Sequence, residues 1–225
     1  IGATFKGFPV GACRHSAATV FSFHPVKIMT TGEGGMVLTN REDIYEALVS
    51  LRAHGITRDV NKMARKNEGE WYYEQTELGY NYRITDLQSA LGLSQLTRID
   101  QFIERRRELA ARYSEELSHL PIRFQLQAEG CSSAWHLFPI RIKKSYGGLD
   151  RSKVFARLRS AGIGVNVHYF PVHLQPWYQS MGFRAGQFPE SEHYYSEAIS
   201  LPMYFELSDA LQDKVIKEVS KAFTE

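Results

Sequence analysis

The sequence predicts an α/β fold, and three observations carry that prediction. A segment that alternates in character, "AATVFSFH" at 17 to 24, reads as a strand; a glycine-rich stretch, "GEGG" at 32 to 35, follows it; and after Pro121 strand-like and helix-like periods alternate to the end. The 225 residues, 43% apolar and 23% charged, suffice for one large domain or two small ones.

The first strand sets Val20 on one face and Phe21 and Phe23 on the other, and delivers Lys27 at its C-terminal end. "MVLTN" after the glycines is a second short strand. Asn40, with Asp43 three residues on, marks an Asx-type helix start ahead of Ile44, Ala47, Leu48 and Leu51. Residues 55 to 80 are polar, hold Gly55, Gly69 and Gly79, and show no sustained period, so they read as loop. Thr85-Asp86-Leu87-Gln88 fits a capping box. Apolar positions from Leu87 to Leu117 mostly keep three- and four-residue spacing, which predicts one helix of about 50 Å ending near Pro121. A helix that long suits a domain bridge or an oligomer interface. Beyond it come a strand at 135 to 142, a helix at 152 to 160 stopped by Gly162, a strand "IGVNVHYF" at 163 to 170, and a helix at about 192 to 199. A final amphipathic helix runs from Ser208 through Val215 to Phe223. The domain change is expected inside the long helix, with 1 to 105 as one domain and 106 to 225 as the other.

Composition excludes several functions. The run Arg105-Arg106-Arg107 lies between Glu104 and Glu108 in a helical pattern and reads as a solvated face, so no nucleic-acid partner is expected. Cys13 and Cys131 have neither CxxC nor metal-ligand spacing, and the eight histidines form no HExxH, so no disulfide framework and no catalytic metal are expected. A reducing, cytoplasmic setting fits. No apolar run approaches the roughly 20 residues of a membrane span. The opening "IGATFKGFPVG" reads as the middle of something longer.

Lys27 has two readings. It could be a surface lysine laying its stem along apolar residues, or a desolvated amine that forms a Schiff base with a carbonyl cofactor or substrate. Ser22, five residues earlier, could share a cavity with the amine, one group for a phosphate and one for an aldehyde. Gly32, Gly34 and Gly35 allow close approach of a planar ligand. Asn81 and Arg83, in "GYNYR", precede a helix N-terminus, where anions are favoured.

Together these residues resemble the DegT/StrS group of sugar-nucleotide aminotransferases, fold type I pyridoxal-phosphate enzymes. Three ordered blocks carry the resemblance: Ser22, Lys27 and "GEGG"; "LGYNYRITDLQSALGLSQL" at 78 to 96; and "GIGVNVHYFPVHLQPWY" at 162 to 178. It implies the C-terminal part of the large, aspartate-aminotransferase-like PLP-transferase domain followed by the small α/β C-terminal domain. "SFHPVK" and "RAHGITR" most resemble the group's pseudaminic-acid-pathway members, which aminate C4 of a UDP-4-keto-6-deoxy-N-acetylhexosamine. The resemblance implies Lys27 as the catalytic, cofactor-linked lysine and Ser22 as a phosphate ligand. Asn81 is implied to reach the same phosphate from the other subunit of a homodimer. It further implies Arg83 on the donor carboxylate or a substrate phosphate, His168 and Tyr169 near the sugar nucleotide, and His24 near the cofactor or filling the strand-to-loop corner. The partners implied are a nucleotide sugar and an amino-acid donor, with glutamate expected. A 3-dehydrase of the same scaffold would carry histidine in place of Lys27. By the same comparison, roughly the first two fifths of the family's length, with the acidic partner of the pyridine nitrogen, precede Ile1. An inactive remnant serving only as an interaction piece, or an aminotransferase for another nucleotide-linked keto sugar, are the alternatives.

Overall fold

The computed structural model describes residues 1–65, 68–142 and 149–224, and the chain divides into two compact units, Ile1–Asp100 and Gln101–Glu225.

The first unit opens with a hairpin of β1 (Thr4–Phe5) and β2 (Phe8–Pro9). Lys6 and Gly7 both take positive φ at its two-residue turn, which matches the right-handed strand twist. β3 (Thr19–Ser22) pairs antiparallel with β4 (Gly35–Leu38), Ser22 opposite Gly35. α1 (Glu42–Leu51) begins at Arg41 with no side-chain cap. The expected Asn40 cap is therefore corrected: the Asn40 amide donates to the Ala12 carbonyl instead, at 2.9 Å. The described residues of the 55 to 80 segment are mostly loop, with a short pairing of β5 (Ile56–Thr57) and β6 (Glu74–Gln75). Two glycines permit its close packing on the end of α1. A Cβ on Gly55 would meet the Glu77 carbonyl oxygen at 2.0 Å, and one on Gly79 the Gly55 nitrogen at 2.3 Å.

α2 (Asp86–Leu96) starts with the expected capping box: Thr85 Oγ1 accepts from the Gln88 amide, and the Gln88 side chain returns to the Thr85 amide. The single long helix is not formed. α2 stops at Leu96, and α3 (Ile99–Glu116) begins after Thr97 and Arg98. The Thr97 hydroxyl donates to the Ser94 carbonyl at 2.7 Å and the Arg98 amide to Gln95, so local bonding tightens the last turn and ends the ladder. Apolar spacing persists across the break, which is why periodicity alone reads it as continuous.

The second unit holds the larger core. β7 (Ile122–Phe124), β9 (Phe138–Ile142) and β10 (Ala198–Leu201) form an antiparallel sheet in the order β10-β9-β7; a two-residue strand, β8 (Cys131–Ser132), lies between β7 and β9 in sequence. Phe138, Ile140 and Ile142 alternate onto one face of β9 and join Leu109, Tyr113 and Leu117 of α3, Val154 and Leu158 of α4 (Arg151–Ser160), and Val219 of α7 (Asp209–Thr224). Between these lie a 3₁₀ turn (Val172–Leu174), α5 (Pro176–Ser180) and α6 (Pro189–Glu197). Two expectations are corrected. Residues 163 to 170 form no ladder and make one bridge, Asn166 to Ser200, while the helix expected to 199 ends at Glu197 and gives way to β10. Gly162 and Gly164 with Pro171 break the first segment, and "AISL" is apolar enough to fill the sheet position.

The arginine run is a solvated face only in part: Arg107 is exposed and Arg105 half-buried, but Arg106 turns inward. Arg106 is 5% exposed and donates through one nitrogen to the carbonyls of Trp135, His136 and Met203; Arg105 pairs with Glu108 and Asp209; Arg107 donates to the Ser133 carbonyl. Arg106 ties three separate segments of the second unit together from within.

Candidate active site

Lys27 does not sit on β3 but within the loop that runs from the end of β3 to the start of β4. Phe23 closes that loop on both sides. Its amide donates to the Gly34 carbonyl at 2.8 Å, and its carbonyl accepts from the Thr31 amide at 3.0 Å and the Thr30 hydroxyl at 2.8 Å. Phe23 and Met29 are buried, at 6% and 4% exposure, so the base of the loop is anchored while His24, Pro25 and Val26 are exposed. Lys27 is half-buried, its amide donates to the His24 carbonyl, and among the described residues its amine has no hydrogen-bond or ion-pair partner.

The Gly-Glu-Gly-Gly stretch completes the loop. A Cβ on Gly34 would lie 2.2 Å from Thr31 Oγ1 and one on Gly35 2.9 Å from the Phe21 carbonyl oxygen, so both must be glycine for the strand to return. Gly32 differs: its φ is +81°, and the space a Cβ would enter is open. The loop is also clamped onto α2. The Thr30 amide donates to Gln95 Oε1 at 2.9 Å, Thr31 is 3% exposed against Gly92, and Ile84 Cδ1 approaches Gly34. This clamp joins two of the sequence blocks, and sequence reasoning missed it. Its signal was Gly92, a glycine in a helix interior that otherwise would weaken the helix.

The other expected residues divide by unit. Ser22 lies at the end of β3, exposed, its hydroxyl accepting from the His24 amide at 3.4 Å. His24 Nδ1 faces the Val26 amide at 3.4 Å and Nε2 lies 3.8 Å from Glu33, so the ring braces the corner of the loop. Asn81 and Arg83 lie on an extended segment held by its backbone to the end of α1: the Tyr80 amide donates to Leu51 and the Tyr82 amide to Arg52. Both side chains are exposed, and the neighbouring rings of Tyr80 and Tyr82 stack on each other. No hydrogen bond among the described residues joins them to Ser22 or Lys27. In the second unit, His168 Nδ1 is 2.8 Å from Ser200 Oγ, and Tyr169 is 69% exposed beside it. Trp135 packs on Phe138 in the core, whereas Trp177 is exposed.

These elements make the chain a mixed α/β protein with a lone amine presented on a closed loop. It belongs to the DegT/DnrJ/EryC1/StrS aminotransferase family, whose model matches residues 1–220. The chain is 38% identical over 220 residues to the spore coat polysaccharide biosynthesis protein SpsC of Bacillus subtilis, covering 96% of this chain and 56% of SpsC. Among solved structures it is similar to Spr1654 of Streptococcus pneumoniae in its PMP form (TM-score 0.87, 29% identity, 99% of this chain and 56% of that one). It is equally similar to PseC of Helicobacter pylori, an aminotransferase involved in pseudoaminic acid biosynthesis (TM-score 0.86, 29% identity, 99% and 57%). The chain spans a little over half the length of the curated relatives it matches. No described helix is long and apolar enough to cross a membrane.

Proposed function

We propose that this chain carries the lysine-bearing part of a pyridoxal-phosphate-dependent aminotransferase. It moves an amino group from L-glutamate to C4 of a UDP-4-keto-6-deoxy-N-acetylhexosamine in nonulosonic (pseudaminic) acid or surface-glycan biosynthesis. The observation that carries the reading is the Lys27 amine, held on an anchored loop with no hydrogen-bond or ion-pair partner among the described residues.

The residues fit the cofactor. An amine is available for its aldehyde, the Ser22 hydroxyl at a strand end for its phosphate, and the open side of Gly32 for close backbone approach. When bound, pyridoxal phosphate supplies the electron sink that stabilises a carbanion at the donor's α-carbon. Lys27 would hold the cofactor through Nζ, and its free amine would take the proton from that α-carbon as general base. Ser22 would donate to the phosphate, and Asn81 of a second subunit would do the same. Arg83 takes the donor carboxylate or a substrate phosphate in a bidentate contact. His168 and Tyr169 face the sugar nucleotide, and His24 braces the loop that presents Lys27.

A homodimer is supported by apolar side chains that α2 exposes: Leu87 at 86%, Leu93 at 66% and Leu91 at 41%. A cytoplasmic location is supported by two unpaired cysteines. The naming of SpsC and PseC supports glycan chemistry, and the wording of "SFHPVK" supports the narrower pathway. The test is amino transfer by the full-length protein, supplied with pyridoxal phosphate, L-glutamate and UDP-4-keto-6-deoxy-N-acetylhexosamine, with products read by mass spectrometry. A 4-amino sugar is expected; no amino sugar from any UDP- or TDP-linked keto sugar would overturn the proposal.

A further inference from the structure

We propose that Ser200, which no motif singled out, is a positioning residue that fixes the tautomer and direction of the His168 ring. The proposal rests on the reading of His168 as a residue facing the sugar nucleotide.

The argument starts from the backbone. Residues 163 to 170 make no strand ladder, yet the segment is fixed at two levels. Ile163 and Val165 are buried at 4% each, and Asn166 and Ser200 exchange backbone bonds, the Ser200 amide donating at 2.8 Å and the Asn166 amide at 3.3 Å. Two residues on, His168 turns back, and its Nδ1 lies 2.8 Å from Ser200 Oγ. The same serine therefore holds the segment by its main chain and the imidazole by its side chain.

Ser200 lies in β10 between Ile199 and Leu201 and is 5% exposed. Among the described residues its hydroxyl has one hydrogen-bond partner, the imidazole nitrogen. A serine hydroxyl that only accepted there would leave its own proton buried and unbonded, which is unfavourable. The hydroxyl therefore donates to Nδ1, and neutral His168 carries its proton on Nε2. Both residues line a cavity of about 420 Å³, as do Asn166 and Lys214. An imidazole in this tautomer is a hydrogen-bond donor toward an anionic oxygen without having to be protonated, which suits a diphosphate-linked sugar at neutral pH.

The test uses the full-length protein as wild type, Ser200→Ala and Ser200→Thr. Nitrogen-15 NMR of labelled histidine should show His168 as the Nε2–H tautomer in wild type and Ser200→Thr, and a mixture in Ser200→Ala. In turnover with UDP-4-keto-6-deoxy-N-acetylhexosamine, Ser200→Ala should raise KM for the nucleotide sugar about fivefold, the size of one lost neutral hydrogen bond, with kcat and KM for glutamate unchanged and Ser200→Thr close to wild type. An unchanged tautomer in Ser200→Ala, or an equal fall in kcat for all substrates, would overturn the positioning role. Absence of turnover in the wild type would instead overturn the functional reading beneath it, while the NMR comparison still decides the tautomer.

Discussion

Replacing Gly92 by alanine tests the clamp that holds the Lys27 loop. The new methyl carbon would stand 2.8 Å from Thr31 Cγ2, against an ordinary carbon contact of about 3.5–4.0 Å. Thr31 cannot swing away freely, because it is 3% exposed and its hydroxyl donates to the Glu33 carbonyl at 2.6 Å. Overpacking of this kind costs about 1–3 kcal/mol. Alanine in place of glycine in a helix interior returns about 1 kcal/mol, so Gly92→Ala should be destabilising by about 0–2 kcal/mol. Thr31→Ser removes the offending methyl and keeps the hydroxyl. In that background Gly92→Ala should become stabilising, by up to about 1 kcal/mol. Denaturant unfolding of wild type, both single variants and the double variant measures the coupling. The single Gly92→Ala variant should also loosen the Thr30–Gln95 bond and release bound pyridoxal phosphate more readily, with recovery in the double variant. Additive effects within about 0.5 kcal/mol would refute the contact.

Three further outcomes follow from named residues. Lys27→Ala should lower amino transfer by roughly 10²–10⁴-fold while leaving the melting transition unchanged, since the amine makes no bond among the described residues; retention of activity would refute its role. Glu197, 2% exposed, takes Arg141 at 2.9 Å and His193 at 2.8 Å, so Glu197→Ala strands a guanidinium and should cost about 3 kcal/mol in denaturant unfolding, more than Glu197→Gln. The Glu192 carboxyl is held below its ordinary 4.5 by His173 and by the Gly186 amide. A group lowered in the folded state contributes stability that is present above its unfolded value and lost as pH falls through its folded one. Stability should therefore drop as pH falls below 4.5, and the drop should be shallower in Glu192→Gln; equal acid profiles would contradict this.

Where bonding is local, the sequence was legible. The Thr85–Gln88 capping box, the β3 strand and the final helix from Asp209 each rest on a short pattern that the structure keeps. Where a long-range partner decides, it was not. β10 and the 163 to 170 segment are both short and apolar, and only the demand of β9 for a neighbour, with glycines and a proline spoiling one candidate, selects "AISL". The arginine run misled for a related reason: charge spacing suggested solvent, while three carbonyls from distant segments converge on Arg106. At the candidate site, Lys27 and its glycines were visible as a motif, but the clamp through Thr30, Thr31 and Gln95 and the hold of Ser200 on His168 depend on side chains far apart in sequence.

The central claim is that Lys27 is the amine that holds pyridoxal phosphate. Its most direct test is borohydride reduction of the full-length protein loaded with pyridoxal phosphate, followed by peptide mapping. A reduced pyridoxyl adduct on Lys27 is the predicted result, and an adduct confined to any other lysine would contradict the account.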